Sequence, residues 1–188
     1  MNIESTRYIP LTQQPFCCVP ACLQMILLRR CLPLFAQEKI GYELGLTVPR
    51  SYNKILPGAR SGPKPPGGWG TRLHKKEYSL NSFFHKYQLP LKYCYFPASK
   101  IDDAKEWAER QIKRDNDVIA CFDYGELYGG ETQGHISLLD SVSDSRAILI
   151  DPEYEKPKFR KVTFKRLLRS MEYHGEDKLG GFWLITSK

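Results

Sequence analysis

The sequence lacks the features that mark several large classes of protein. It has no run of about 18 apolar residues, so no membrane-spanning helix is predicted. Its first residues do not form a basic segment followed by an apolar one, so a standard signal peptide is not expected. No two cysteines have the C-x-x-C spacing of a zinc site, so no metal site is predicted. We therefore expect a cytoplasmic protein, or one exported by a specialised system, with its six cysteines reduced.

The composition predicts one folded domain that covers 1–188. With 41% hydrophobic residues, the chain is long enough to bury a core. The formal net charge is +7, and the segment 156–171 alone contains seven Lys or Arg residues and no acidic residue. This basic stretch is either a solvated face or a docking surface for an acidic protein partner, an anionic membrane or nucleic acid. Nucleic acid is not expected as a partner, because no helix-turn-helix, zinc-finger or RRM signature is present.

The order of the predicted elements indicates an α+β fold, because helices come early in the chain and strands come late. Ser79 and Thr163 are predicted N-caps of the third and last helices. Hydrophobic periodicity and turn residues predict helices at 18–30, 34–44, 79–87 and 102–114 and after Thr163, and strands at 91–96, 118–122, 135–142, 147–150 and 182–186.

The first predicted helix is apolar on nearly all sides. Between Val19 and Leu28 its only strongly polar residue is Gln24. A helix of this kind is buried in the middle of its domain. We therefore expect a central helix packed on the sheet, with only its N-terminal tip exposed.

The segment 46–76 is predicted to be a Gly/Pro-rich insertion. It shows no clear periodicity, and its centre, 57–70, is expected to contain no regular structure. A loop of this length is either a mobile surface segment or a functional one that contacts substrate. Trp69, which stands among glycines, favours contact with another group. A second glycine-rich segment, 123–133, is expected to form one wall of a cleft.

Three residues have the pattern of an activated thiol. Cys18 opens the first helix, whose N-terminus carries a partial positive charge that favours thiolate. His135 begins a later strand and Asp151 ends the next one, so an imidazole and a carboxylate can be brought to the thiol. Cys17 is the rival nucleophile, whereas Cys22 lies a turn inside the helix and is expected in the core.

Two other carboxylates compete with Asp151 as the partner of His135. Asp140 lies an odd number of residues from His135 on the same predicted strand, so the two should point to opposite faces of the sheet. Asp123 ends a different strand and stays an alternative. The other histidines have no matching partner: His74, His85 and His174.

The chain resembles papain-like cysteine peptidases, and within them the C39-like branch, whose bacterial members include peptidases that cut after a double glycine. The motifs that carry the resemblance are Pro10-Leu11-Thr12-Gln13-Gln14, Cys18-Val19-Pro20-Ala21-Cys22-Leu23-Gln24-Met25-Ile26-Leu27, Gly134-His135-Ile136-Ser137-Leu138-Leu139 and Ile148-Leu149-Ile150-Asp151-Pro152. The resemblance implies a papain-like fold and a Cys18, His135 and Asp151 triad. It also implies that a glutamine shortly before the nucleophile stabilises the oxyanion; Gln14 is favoured over Gln13.

The chain departs from the family at one position beside the nucleophile. The family usually has glycine after the catalytic cysteine, and this sequence has Val19. Valine retains the backbone N–H, so the chemistry is not abolished, but its side chain could narrow the cleft.

The resemblance implies a thiol-dependent hydrolase that acts on peptide or amide bonds through a thioester and needs no metal or organic cofactor. The expected partner is a peptide or protein substrate. Glutamine deamidation, isopeptide cleavage and transpeptidation use the same triad, and the resemblance does not separate them. A non-catalytic papain-like module that docks an acidic partner through the basic C-terminal helix is the alternative from another class. A distant likeness to guanylyl-cyclase-like proteins is disfavoured, because no phosphate-binding loop is present.

Overall fold

The computed structural model describes residues 6–65, 68–153 and 158–188. Its main feature is a six-stranded sheet in which every neighbouring pair is antiparallel. The sheet confirms the predicted α+β class. In chain order its strands are β3 (Leu91–Pro97), β4 (Asp117–Asp123), β5 (Gly134–Ser143), β6 (Arg146–Ile150), β7 (Phe159–Thr163) and β8 (Gly181–Ser187), and their order in space is β3-β8-β4-β5-β6-β7.

Helices cover both faces of this sheet. They are α1 (Cys18–Arg29), α2 (Gln37–Glu43), α3 (Leu80–Lys86), α4 (Ala104–Lys113), α5 (Tyr124–Tyr128) and α6 (Phe164–His174). One apolar cluster joins α1, α2 and α3 to the sheet, and a second joins α4, α5 and α6 to the other face. Within the described ranges, no helix combines the length and apolar composition needed to cross a membrane.

The central position predicted for the first helix is confirmed. Eight of the twelve residues of α1 are buried, and Leu23 and Ile26 pack in the cluster that includes Ile136 and Leu138 of β5. The Cys22 thiol lies 3.9 Å from the carbonyl oxygen of Ile136. Because the core surrounds the helix along most of its length, the N-terminal residue of α1 is held at a constant position against the sheet.

The capping residues explain where two helices begin. The Ser79 hydroxyl accepts a hydrogen bond from the Ser82 N–H at 3.1 Å, and the Thr163 hydroxyl accepts one from the Arg166 N–H at 3.3 Å. Both N-caps were predicted, and both are confirmed.

The sequence analysis missed two elements. It missed β7, because basic residues interrupt the alternation of apolar and polar side chains that identifies a strand. It also missed α5, a helix of five residues inside the glycine-rich segment 123–133.

The insertion 46–76 contains regular structure, so the expectation of none in its centre is wrong. Its strands β1 (Thr47–Pro49) and β2 (Arg60–Gly62) pair in parallel, with Thr47 opposite Arg60. Together with Cys17, apolar side chains of this segment form a separate small cluster, whose burial offsets part of the entropy cost of ordering the segment. That cluster comprises Cys17, Leu46, Val48, Leu56 and Ala59.

Candidate active site

Cys18 is the first residue of α1, and it is the accessible thiol of the three near the helix start. Its side chain is partly exposed, whereas Cys17 and Cys22 are fully buried. Burial, and then the negative charge of a neighbouring Cys18 thiolate, raise the pKa of Cys17 to about 12. The pKa of Cys22 is also raised well above its ordinary value, mainly by burial. Both buried thiols therefore stay protonated at neutral pH.

A tight turn delivers the chain to the nucleophile. The Cys17 N–H donates to the Gln14 carbonyl at 2.9 Å, with Pro15 second in the turn and Phe16 third. Phe16 has a φ of 63°, a left-handed conformation that costs a residue with a side chain of order 1 kcal/mol. Strain of this kind is common beside functional groups, and here it directs the Phe16 ring onto Tyr52, with ring centroids 5.1 Å apart.

His135 and Asp151 are joined by a hydrogen bond. The distance from His135 Nε2 to Asp151 Oδ1 is 2.8 Å, and both side chains are buried. The strand register explains the contact: Leu138 of β5 lies opposite Ile150 of β6, so Asp151 is a diagonal neighbour of His135 across the ladder. The two residues come together because the sheet is antiparallel at this point.

The His135 ring lies between an anion and the thiol. Burial alone lowers its pKa, but hydrogen bonds with Asp151 and with Cys18 outweigh burial and raise the pKa to about 10. Since Nε2 is taken by Asp151, Nδ1 is the nitrogen left to bind the sulfur. The structure therefore brings Cys18, His135 and Asp151 together.

The Asp151 carboxylate is held in its charged form. Burial opposes the charge, but the hydrogen bond to His135 and the Glu153 N–H, which donates to Oδ1 at 3.0 Å, keep its pKa below the ordinary value. The Arg160 guanidinium adds a further favourable charge, with Nε 3.8 Å from Asp151 Oδ2. Oδ2 is buried and has no hydrogen-bond partner among the described residues.

The two rival carboxylates are engaged elsewhere. Asp140 lies at a bulge in β5 and accepts a hydrogen bond from the Thr6 hydroxyl at 2.8 Å. Asp123 is the N-cap of α5 and accepts from the Glu126 N–H at 2.9 Å. Neither is placed as a partner of His135.

Aromatic rings surround His135, and two of them, Tyr124 and Tyr128, belong to the segment 123–133 that the sequence placed at the cleft. Phe122 and Tyr124 contact the imidazole edge to face, with centroids 5.6 and 5.4 Å away. Tyr128 packs against Tyr124 and receives the Arg160 guanidinium on its face at 3.8 Å. Phe122 lies near the end of β4 and Arg160 lies on β7, and the sequence analysis singled out neither of them, because their contact with this group depends on the sheet order.

The glutamines before the nucleophile occupy different surroundings. Gln14 has an exposed side chain, whose amide has no hydrogen bond with the described protein groups, and its backbone N–H donates to Gln37 Oε1 at 2.7 Å. Gln13 is half-buried, and its Nε2 donates to Glu153 at 3.4 Å. Gln37, which the sequence did not single out, also donates to the Thr12 carbonyl at 2.9 Å and so holds this segment in place.

Val19 does not narrow the cleft with its side chain. It is 4% exposed and belongs to the apolar cluster under α1. The difference from the family pattern therefore changes the core and leaves the backbone N–H groups at the helix start in place.

Several cations of the basic stretch 156–171 contact other groups of the protein, although Lys165, Arg166 and Arg169 on α6 are exposed. Arg169 pairs with Glu126 of α5 at 2.9 Å, and Arg166 donates to the Glu126 carbonyl at 3.3 Å. Lys158 donates to two backbone carbonyls beside Asp151, and Arg160 points at Asp151 itself. Lys156 lies outside the described residues.

Among the described residues, no group of three His, Cys, Asp or Glu side chains is placed to hold a metal ion.

No protein-family model matches the chain, and no curated protein matches it. Solved structures do. A protein from Bacillus anthracis described as a C39-like peptidase matches with a TM-score of 0.57 and 13% identity, over 96% of this chain and 95% of that one. A double-glycine-motif protease from an AMS/PCAT transporter, in complex with the leader peptide, matches with a TM-score of 0.52 and 13% identity, over 99% and 96%. The chain therefore has the fold of C39-like peptidases, as the resemblance predicted.

Proposed function

We propose that the protein is a thiol-dependent hydrolase that cleaves peptide or amide bonds. The observation that carries the proposal is the alignment of three side chains: His135 bonds Asp151 at 2.8 Å and also contacts Cys18, the one accessible thiol at the start of α1. An imidazolium beside a thiol at a helix N-terminus favours the thiolate, which is the reactive form.

In the first half of the proposed reaction the Cys18 thiolate attacks the carbonyl carbon of the bond to be cleaved. The negative charge moves to the carbonyl oxygen, where the Gln14 amide and the backbone N–H of Cys18 stabilise it. His135 gives its proton to the leaving amine, the C–N bond breaks, and a thioester on Cys18 is left.

In the second half, a water molecule attacks the thioester while the neutral His135 ring takes one of its protons. The C–S bond breaks, the carboxylic acid departs, and the thiolate and imidazolium return. Asp151 stays ionised throughout, because it orients the ring and stabilises its positive charge without taking the proton.

A peptide is the substrate class best supported. The similar double-glycine-motif protease is seen with a leader peptide, and the fold is shared over nearly the whole of both chains. Deamidation and isopeptide cleavage proceed through the same thioester and differ only in the amine that leaves. Val19, the departure from the family pattern beside the nucleophile, is packed in the core and leaves the catalytic proposal without a steric objection at this position.

Iodoacetamide labelling against pH, with mass-spectrometric mapping, tests the proposal on the wild type, His135→Ala and Cys18→Ala. We expect rapid labelling of Cys18 below about pH 7, and slower labelling in His135→Ala with a midpoint near the ordinary thiol value of about 8.5. The exposed Cys31 is an internal reference for an ordinary thiol. If Cys18 labels no faster than Cys31 and the His135 substitution has no effect on a folded protein, the proposal is wrong.

A further inference from the structure

The insertion 46–76 is a second basic segment, and all of its charged side chains are positive. It contains seven Lys or Arg residues and no Asp or Glu. One of the seven, Arg72, is buried and binds the Thr47 hydroxyl and the Gly68 carbonyl, both at 2.6 Å. The other six are exposed: Arg50, Lys54, Arg60, Lys64, Lys75 and Lys76.

These six cations have no carboxylate within ion-pair distance in the described parts of the chain, although Arg60 lies on the face of the Tyr78 ring at 4.9 Å. The contrast with 156–171 is direct. There Arg160 and Arg169 face Asp151 and Glu126 at 3.8 and 2.9 Å. Carboxylates of this chain therefore engage two arginines of 156–171, whereas none lies within ion-pair distance of the six exposed cations of the insertion in the described ranges.

The insertion is attached to the residues that immediately precede the nucleophile. Cys17 packs in the apolar cluster of the insertion, and the Phe16 ring contacts Tyr52 at 5.1 Å and Trp69 at 6.4 Å. Arg72 ties the two ends of the segment together. Since Cys17 and Cys18 are adjacent in the chain, the insertion packs directly beside the start of the helix that carries the reactive thiol.

We propose that the basic surface of the insertion 46–76 binds an acidic segment of the polypeptide substrate and so presents the adjacent bond to Cys18. This inference rests on the proposed function, because it concerns the substrate of the same site. Exposed charges act over roughly 8 Å at physiological ionic strength, and a patch of one sign raises association rates by about 10-fold or more. The benefit should therefore appear in association and KM more than in kcat.

A polypeptide is favoured over a nucleic acid at this surface. Sequence-tolerant binding of single strands needs free aromatic faces on which bases stack. The aromatic rings of the insertion are already in contact with protein: Tyr52 and Trp69 with Phe16.

The experiment uses three bromoacetyl peptides that are identical except for four Asp, four Lys or four Ser residues. The second-order rate of Cys18 alkylation is measured for each. We expect the acidic peptide to react about tenfold faster than the neutral one and the basic peptide more slowly, with the difference removed by high salt. Arg50→Glu/Lys54→Glu should abolish the preference. The matched control Lys92→Glu/Lys165→Glu, which reverses two exposed charges outside the insertion, should retain it.

Equal rates for the three peptides, or a preference that only the control substitution removes, would overturn the inference. Its failure can be told from failure of the proposed function, because bromoacetamide reports on the thiol alone. Binding of the fluorescent acidic peptide to Cys18→Ala, read by anisotropy, needs no reactive thiol. A single-stranded oligonucleotide of equal charge that binds this variant more tightly than the peptide would assign the surface to nucleic acid instead.

Discussion

Nε of Arg160 lies 3.8 Å from Oδ2 of Asp151, on the side of the carboxylate away from His135. Both oxygens of the buried Asp151 thus face a positively charged group. The strand register accounts for the position of Arg160, since β7 places it opposite Leu149, two residues before Asp151. Its guanidinium is fixed from behind by the Tyr128 ring.

Arg160 should therefore act through Asp151 and not by contact with substrate, and we expect Arg160→Met to slow the proposed reaction. Loss of the charge raises the pKa of Asp151, and an arginine beside a carboxylate commonly shifts it by about one unit or more. We expect the acidic limb of the pH profile of Cys18 labelling to shift to higher pH. Arg160→Lys should restore part of the shift, and Lys165→Met, at an exposed position on α6, should cause none. An unchanged limb in Arg160→Met would show that this arginine is only structural.

The His135–Asp151 pair should leave a signature in stability against pH. In Cys18→Ser the thiol no longer titrates, and Asp151 still raises the pKa of His135. The stabilisation is then complete below the unfolded value of about 6.5 and is lost as the pH rises through the folded value.

We expect the free energy of unfolding of Cys18→Ser to fall, relative to Cys18→Ser/His135→Gln, by up to about 1.4 kcal/mol per pH unit in that interval. Urea unfolding at a series of pH values measures it. The same pH dependence in both proteins would mean that the folded-state pKa of His135 is not raised.

Cys17 should be dispensable for reactivity although it adjoins Cys18. Its thiol is buried and its pKa is raised to about 12, so it is neither accessible nor ionised near neutral pH. Cys17→Ala should keep rapid labelling of Cys18 and lose about 1 kcal/mol of stability through the small cavity in the cluster of the insertion. Mass mapping that found the fast label on Cys17 in the wild type would reverse the assignment of the nucleophile.

Gln14 should contribute more to catalysis than Gln13. The Gln14 amide is exposed and free to donate to substrate, whereas the Gln13 amide is bonded to Glu153. Once a substrate is found, Gln14→Ala should lower kcat by about 10²- to 10³-fold, the usual cost of losing an oxyanion donor, with little change in KM. A larger loss in Gln13→Ala would assign the role to that residue.

Asp117 should be a major determinant of stability far from the thiol. It is fully buried and accepts hydrogen bonds from Tyr8 Oη at 2.7 Å and Arg29 Nη1 at 2.8 Å, and it also pairs with Arg30. Asp117→Asn leaves two cations without their buried partner and should cost about 3 kcal/mol in chemical denaturation. The neighbouring Asp115 is 75% exposed, so Asp115→Asn should cost about 0.5 kcal/mol or less. Similar costs for the two would contradict this account.

Local patterns in the sequence were sufficient to predict most of the elements and the placement of the thiol. Ser79 and Thr163 satisfy N–H groups within three residues of themselves, so their role is visible in the sequence. The apolar run after Cys18 predicts a buried helix, because its residues have no polar face to expose. The resemblance in short motifs added the expected fold and pointed to His135 and Asp151.

The tertiary structure decided which distant groups meet. Arg160 and Tyr128 reach the Asp151–His135 pair because β7 lies beside β6 and α5 follows β4, and neither β7 nor α5 has a clear pattern in the sequence. The regular structure of the insertion could not be predicted for the same reason, since its two strands pair across a loop and its apolar cluster includes Cys17. Hydrogen-bond caps act over a few residues, whereas ion pairs and ring contacts between strands depend on sheet order, which no local pattern specifies.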